Sequence, residues 1–90
     1  MVHADSAEAL EKLAAELGSR GLEARLVTPA GKEPWLAVRN PRAPMLAETV
    51  MAVREWFWWP WADRIAPVDD VPGAASRVAS VLRAGSNGGG

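Results

Sequence analysis

The sequence predicts an α+β domain, a two-layer sandwich with an N-terminal helix, a three- to four-stranded antiparallel meander and a C-terminal helix. Three observations carry that prediction. Residues 6–20 and 71–83 each repeat apolar side chains at helical spacing. Between them, short stretches alternate apolar and polar residues in the manner of half-buried strands. Finally, four of the five tryptophans and the only phenylalanine fall within Trp56-Phe57-Trp58-Trp59-Pro60-Trp61. Two amphipathic helices need one apolar surface to cover, and a sheet supplies it.

The first helix is predicted over Ser6 to Arg20. Asp5 followed by Glu8 has the form of a capping box with Asp5 as N-cap, and Met1 to Ala4 are expected to be loose. Ala7, Leu10, Leu13, Ala14 and Leu17 form its apolar side, while Glu8–Lys12 and Glu16–Arg20 are favourable i,i+4 pairs. Gly21 suits the C′ position of a Schellman motif, which sets Leu22 against Leu17.

Leu22, Ala24 and Leu26 then alternate with Glu23 and Arg25, which predicts a strand. Thr28-Pro29-Ala30-Gly31 fits a turn with proline at i+1 and glycine at i+3, and Trp35 to Arg39 is the returning strand of a hairpin. Asn40-Pro41-Arg42-Ala43-Pro44 should break it, because proline donates nothing to a ladder. Met45 to Val53 is ambiguous. Leu46, Val50, Val53 and Phe57 match a helical stripe, whereas a strand sets Leu46, Val50 and Ala52 on one face together with Glu48. The strand is preferred, since a smaller sheet would lack pairing partners, with Arg54-Glu55 as the turn into the aromatic run.

Within that run, alternation predicts Phe57, Trp59 and Trp61 on the core side. Trp56 and Trp58 then face water, a covering helix or another molecule. Pro60 implies an edge strand or a bulge there. Asp63 to Val68 reads as a connection to the second helix, whose start is marked by Asp69, Asp70 and Pro72. Val71, Ala74, Ala75, Val78, Val81 and Leu82 are its apolar face, with Arg77 and Arg83 on the polar side. Residues 1–84 thus form one domain, and 85–90, serine, asparagine and glycine, read as a flexible tail.

Ninety residues bury only about 60–65% of the unfolded surface, so one thin core is expected. Ten basic and eleven acidic residues spread evenly, a balance of −1 with no electrostatic footprint for nucleic acid or an anionic membrane. Without cysteine there is neither disulfide nor thiolate chemistry, which suits a reducing cytoplasm. No run approaches the roughly 18–20 apolar residues of a membrane span, and the N-terminus carries no apolar leader. The expected location is cytoplasmic.

Catalytic machinery is not legible. His3 is the sole histidine, so a histidine triad or multi-histidine metal site cannot be built. Asp63, Asp69 and Asp70 lack the alternate spacing of a calcium loop and are expected to be solvated or helix-start acids. No pattern sets Glu48 or Glu55 apart from surface acids, and no glycine-rich phosphate loop precedes a helix. The expectation is a protein that is not an enzyme, with no cofactor, metal or catalytic residue. Its contact residues are expected to be Trp35, Trp56 and Trp58 with Arg54 and Arg64, since exposed tryptophan and arginine dominate interface hot spots. The partner is a protein or a second copy in a homodimer. One alternative is a small ligand on an indole platform. Another, less favoured, is double-stranded RNA, whose binding domains share the element order but carry a basic excess missing here.

The segment Trp56 to Asp70, WFWWPWADRIAPVDD, together with Asn40-Pro41 after an alternating strand, resembles short α+β proteins of high-GC, actinobacterial-type genomes. The likeness covers about two-thirds of the chain. It implies no activity and transfers no functional residue. At the level of element order the chain also looks like secretion-chaperone folds, which dimerise and hold partner segments, an analogy of fold alone.

Overall fold

The computed structural model describes residues 2–84, which form α1 (Val2–Ser19), β1 (Glu23–Val27), β2 (Trp35–Asn40), β3 (Ala43–Val53), β4 (Trp56–Trp58), β5 (Arg64–Pro67) and α2 (Val71–Ala84). The fold is the predicted α+β arrangement with five strands instead of three or four, joined as a meander in the order β1-β2-β3-β4-β5. Every neighbouring pair is antiparallel. The expected tail over 85–90 lies outside the described residues.

α1 begins at Val2, ahead of the predicted Ser6, so Asp5 lies inside the helix instead of capping it. No glycine or proline interrupts residues 2–5 to force a later start. Its end is the predicted Schellman motif. Leu22 N–H donates to the Leu17 carbonyl at 3.1 Å, Gly21 N–H donates to Gly18 at 3.1 Å, and Gly21 takes φ +88°. Glu16 and Arg20 form the expected ion pair at 3.2 Å.

The first hairpin turns one residue later than predicted. Lys32 N–H donates to the Pro29 carbonyl and Gly31, at φ +74°, takes the left-handed position. The break after β2 is shorter than expected. Asn40 pairs with Ala43, Pro41 and Arg42 make the turn, and Asn40 Oδ1 accepts the Arg42 N–H at 2.9 Å. Pro44 lies within β3, where the register slips between Arg39–Ala47 and Asn40–Ala43. That bulge leaves residues 44–46 out of the ladder, which is how a proline fits. Residues 45–53 are strand, as preferred, and Glu48 is half-buried on the same side as Leu46, Val50 and Ala52.

Two corrections concern the aromatic run. β4 stops at Trp58, and the chain then folds into a turn in which Trp59 N–H donates to Asp63 and Ala62 N–H donates to Trp59. Phe57 and Trp59 are buried as predicted, but Trp61 is 52% exposed, because alternation ends where the strand ends. The stretch expected to be a connection, residues 63–68, supplies β5. Trp56 pairs with Pro67 and Phe57 with Ala66. Only four residues long and closed by a proline, it lacked the length of a recognisable strand.

α2 is capped by Asp70, whose Oδ1 accepts the Gly73 N–H at 3.1 Å. Both helices lie side by side, with Arg20 donating to Ser76 Oγ and the Pro72 carbonyl, and Arg83 donating to the Arg20 carbonyl. They therefore share one sheet face. Leu10, Leu13 and Leu17 from α1 and Ala74, Ala75, Val78, Ala79 and Leu82 from α2 close over Leu36, Val38, Val50, Ala52, Phe57, Ile65 and Ala66. Small alanines let α2 approach the sheet closely. No buried side-chain nitrogen or oxygen among the described residues lacks a hydrogen-bond partner.

Candidate functional site

The candidate site of this fold is the sheet face that neither helix covers. Its composition follows from register. The positions Leu36, Val38, Val50, Ala52 and Phe57 point to the helices, so their sequence neighbours point away. Across the sheet, Val27 is opposite Trp35, Met51 opposite Trp58, and Trp58 opposite Arg64. The next row sets Val53 opposite Trp56 and Trp56 opposite Pro67. Leu36 pairs with Val50, so Trp35 and Met51 are the neighbouring positions one step on.

Four of the five expected contact residues are gathered on this face. Trp35, Trp56 and Trp58 are half-buried, and the exposed Arg64 lies with Cζ 4.7 Å from the Trp56 ring centre, a cation–π contact. Trp58 Nε1 donates to the Val53 carbonyl at 3.1 Å, which holds that indole across the β3–β4 turn. Arg54 is not on the face. It sits in the two-residue turn beyond Val53 and Trp56, exposed and at φ 54°. Met51, Val53 (40% exposed), Val27 and Pro67 complete the apolar surface and were not singled out in the sequence. Only the pairing of Val53 with Trp56 aligns their alternation with that of the tryptophans.

The other half of the same face is hollow. A groove of about 570 Å³ runs over residues 23–25, 37–39 and 47–49. Val38 is buried toward the helices, so the side chains bordering this groove are those pointing the other way: Glu23, Arg25, Ala37, Arg39, Ala47 and Thr49. Alanines make the floor and charges make the walls. Arg39 Nε donates to Glu23 Oε1 at 3.1 Å and its second guanidinium nitrogen pairs with the same oxygen. The Arg25 side chain makes no hydrogen bond or ion pair among the described residues.

A second aromatic feature lies where β4 ends. Trp61 stacks on Trp59 with ring centres 5.1 Å apart and planes 5° from parallel, and its Nε1 donates to Asp63 Oδ2 at 3.0 Å. One face of Trp61 rests on Trp59. Of the acids considered in the sequence, Asp63 holds Trp61, Asp70 caps α2, and Asp69 is exposed. Among the described residues, no group of three histidine, cysteine, aspartate or glutamate side chains is arranged to hold a metal ion. No helix of the described residues is long and apolar enough to cross a membrane.

No protein-family model matches the chain, and no curated protein or solved structure matches it either.

Proposed function

We propose that this protein is a non-enzymatic, cytoplasmic interaction domain. It works by protein–protein contact through the open tryptophan face, as a homodimer or as the accessory subunit of a regulator. One observation carries this reading: Trp35, Met51, Val53, Trp56 and Trp58 all lie on the sheet face that α1 and α2 leave uncovered. Contiguous apolar surface of this kind marks interaction sites, and indoles beside an arginine are the side chains from which hot spots are built. The near-neutral charge balance supports a protein partner over nucleic acid.

Tryptophan emission with acrylamide quenching tests the reading directly. Rings on an uncovered face give red-shifted, quencher-accessible emission in the isolated chain, protected when the partner binds. Emission that is blue and fully quencher-resistant in a dilute monomer overturns it.

The stacked pair Trp59–Trp61 favours one second reading, a small ligand laid on the outer face of Trp61, an indole platform already oriented by Asp63. Loss of ligand-induced quenching in Trp61→Ala, with Trp35→Ala unaffected, separates this reading from the first.

A further inference from the structure

We infer that the free edge of β1 pairs with the β1 edge of a second copy, antiparallel about a two-fold axis at Ala24, and that this seam is where two copies meet. The inference goes beyond the reading of the tryptophan face, which the seam leaves uncovered for another partner.

β1 stands at one end of the strand order, so the flank of Glu23–Val27 away from β2 has no strand against it. Sheets blunt such flanks with short strands, prolines, bulges and inward-turned charges. The other free flanks of this sheet have them. β5 is four residues long, ends at Pro67 and joins β4 through a register shift. β3 pairs with β4 only through Met51 to Val53, and the flank it leaves along 43–50 carries Pro44, a bulge and the inward Glu48. β1 lacks all of these. It has no proline, its five pairs with β2 run in unbroken register, and its charges Glu23 and Arg25 point to the open face.

The core also opens at this flank. Ala24 and Leu26 from β1 and Ala14 from α1 pack on the buried cluster but are themselves only half-buried. Arg20 marks the side of α1 turned to α2, where it reaches Ser76 and Pro72. At helical spacing the opposite flank is Ala7, Glu11, Ala14 and Gly18, small at all but one position. A second α1 therefore has room alongside the first where a second sheet continues the first.

Charge selects the occupant and the register. Paired residues share a face, so copies with both helix layers on one side set odd-numbered residues opposite odd-numbered ones. A two-fold at Arg25 sets arginine opposite arginine, and one at Glu23 sets glutamate opposite glutamate. At Leu26, Glu23 falls opposite Pro29 and neither charge is matched. At Ala24, Glu23 of each copy lies opposite Arg25 of the other, and Leu22 lies opposite Leu26. The existing pair of Glu23 with Arg39 is compatible with this. Arg39 directs both its nitrogens to Oε1, which leaves Oε2 without a partner among the described residues, and the Arg25 side chain makes no hydrogen bond or ion pair in its own copy. A strand from another protein would need the same order, acid then base two residues on, to satisfy both charges. This chain supplies it by symmetry. The pairs run only from 22 to 26, short of the roughly 1,000 Å² of a stable complex, so the dimer is a weak, concentration-dependent one.

The test is sedimentation equilibrium of the full chain, Arg25→Glu, Glu23→Arg and an equimolar mixture of the two variants, with amide hydrogen exchange and acrylamide quenching to locate the contact. Both positions are exposed, and circular dichroism checks that the variants fold. The parent chain should dimerise in roughly the micromolar to millimolar range, with amides of residues 22–26 slowed as it does and indole quenching unchanged. Each variant should raise the dissociation constant at least about tenfold, since two attractions become two repulsions. Mixing should restore the dimer, because every acid of one variant then faces an arginine of the other. A parent chain monomeric to millimolar concentration overturns the seam, as does a dimer indifferent to both variants. A dimer that shields the indoles and leaves 22–26 unprotected also overturns it, in favour of contact through the tryptophan face. A dimer weakened by Arg25→Glu but untouched by Glu23→Arg overturns the register at Ala24.

Discussion

The β3–β4 turn controls which tryptophans reach the open face, and it is built from unsuitable residues. Arg54 and Glu55 sit at φ 54° and 71°, both in the left-handed region, which is the type I′ geometry that asparagine and glycine favour in two-residue hairpins. An ordinary side chain there costs about 1–2 kcal/mol per residue. Replacing Glu55 by Gly relieves one position and Arg54 by Asn about half of the other, while glycine's extra freedom in the unfolded chain takes back about 0.5–1 kcal/mol. A net gain of about 1–2 kcal/mol is expected. For a domain of this length that raises Tm by roughly 4–16 °C. The Val68 N–H bond to the Glu55 carbonyl, 2.9 Å, is a backbone contact and survives the change. Thermal unfolding followed by circular dichroism measures the shift. Because the turn only reinforces the existing pairing of Val53 with Trp56, tryptophan quenching should be unchanged. A destabilised variant would refute the two-residue turn. So would altered quenching, since a one-residue slip would send Phe57 outward and Trp56 and Trp58 inward.

Other expectations follow from the same structure. Phe57→Ala removes a ring that is fully buried between Ala52 and Ala66, and should cost about 3–5 kcal/mol in urea unfolding, much of the stability of a domain this small. Gly21→Ala forces a side chain to φ +88° in the Schellman turn, and should lower stability by about 1 kcal/mol or more in the same assay. Asp70→Ala leaves the Gly73 N–H without its cap and should cost about 0.5–2 kcal/mol, a loss that Asp70→Asn largely restores. Arg64→Gln removes the charge over Trp56 and should change indole emission while moving stability by no more than about 1 kcal/mol.

Much of the scaffold could be read directly from residue order. Leucines at helical spacing and Gly21 located α1 and its Schellman end, because those signals lie within one or two turns of chain. Alternation in residues 22–26 and 35–39 located the first hairpin for the same reason. β5 was not legible. Arg64-Ile65-Ala66-Pro67 has too few residues to display a period, and it is a strand only because Trp56 and Phe57 lie beside it. Trp61 is exposed against the alternation of the aromatic run because the strand ends at Trp58, where the Trp59–Asp63 bond bends the chain away.

The candidate site divides along the same line. That Trp56 and Trp58 oppose Phe57 is a property of the sequence alone, since the pleat alternates whatever the sheet packs against. Membership of one surface is different. Trp35 is twenty-one residues from Trp56, and Met51 and Val53 carry no distinguishing mark; they join the indoles only through inter-strand register. The groove over Ala37 and Ala47 is likewise invisible in one dimension, because it is the absence of bulk at positions brought together from three strands. Periodicity and turn chemistry are local and therefore written in the chain, whereas a surface is a sum over distant segments and exists only once they are paired.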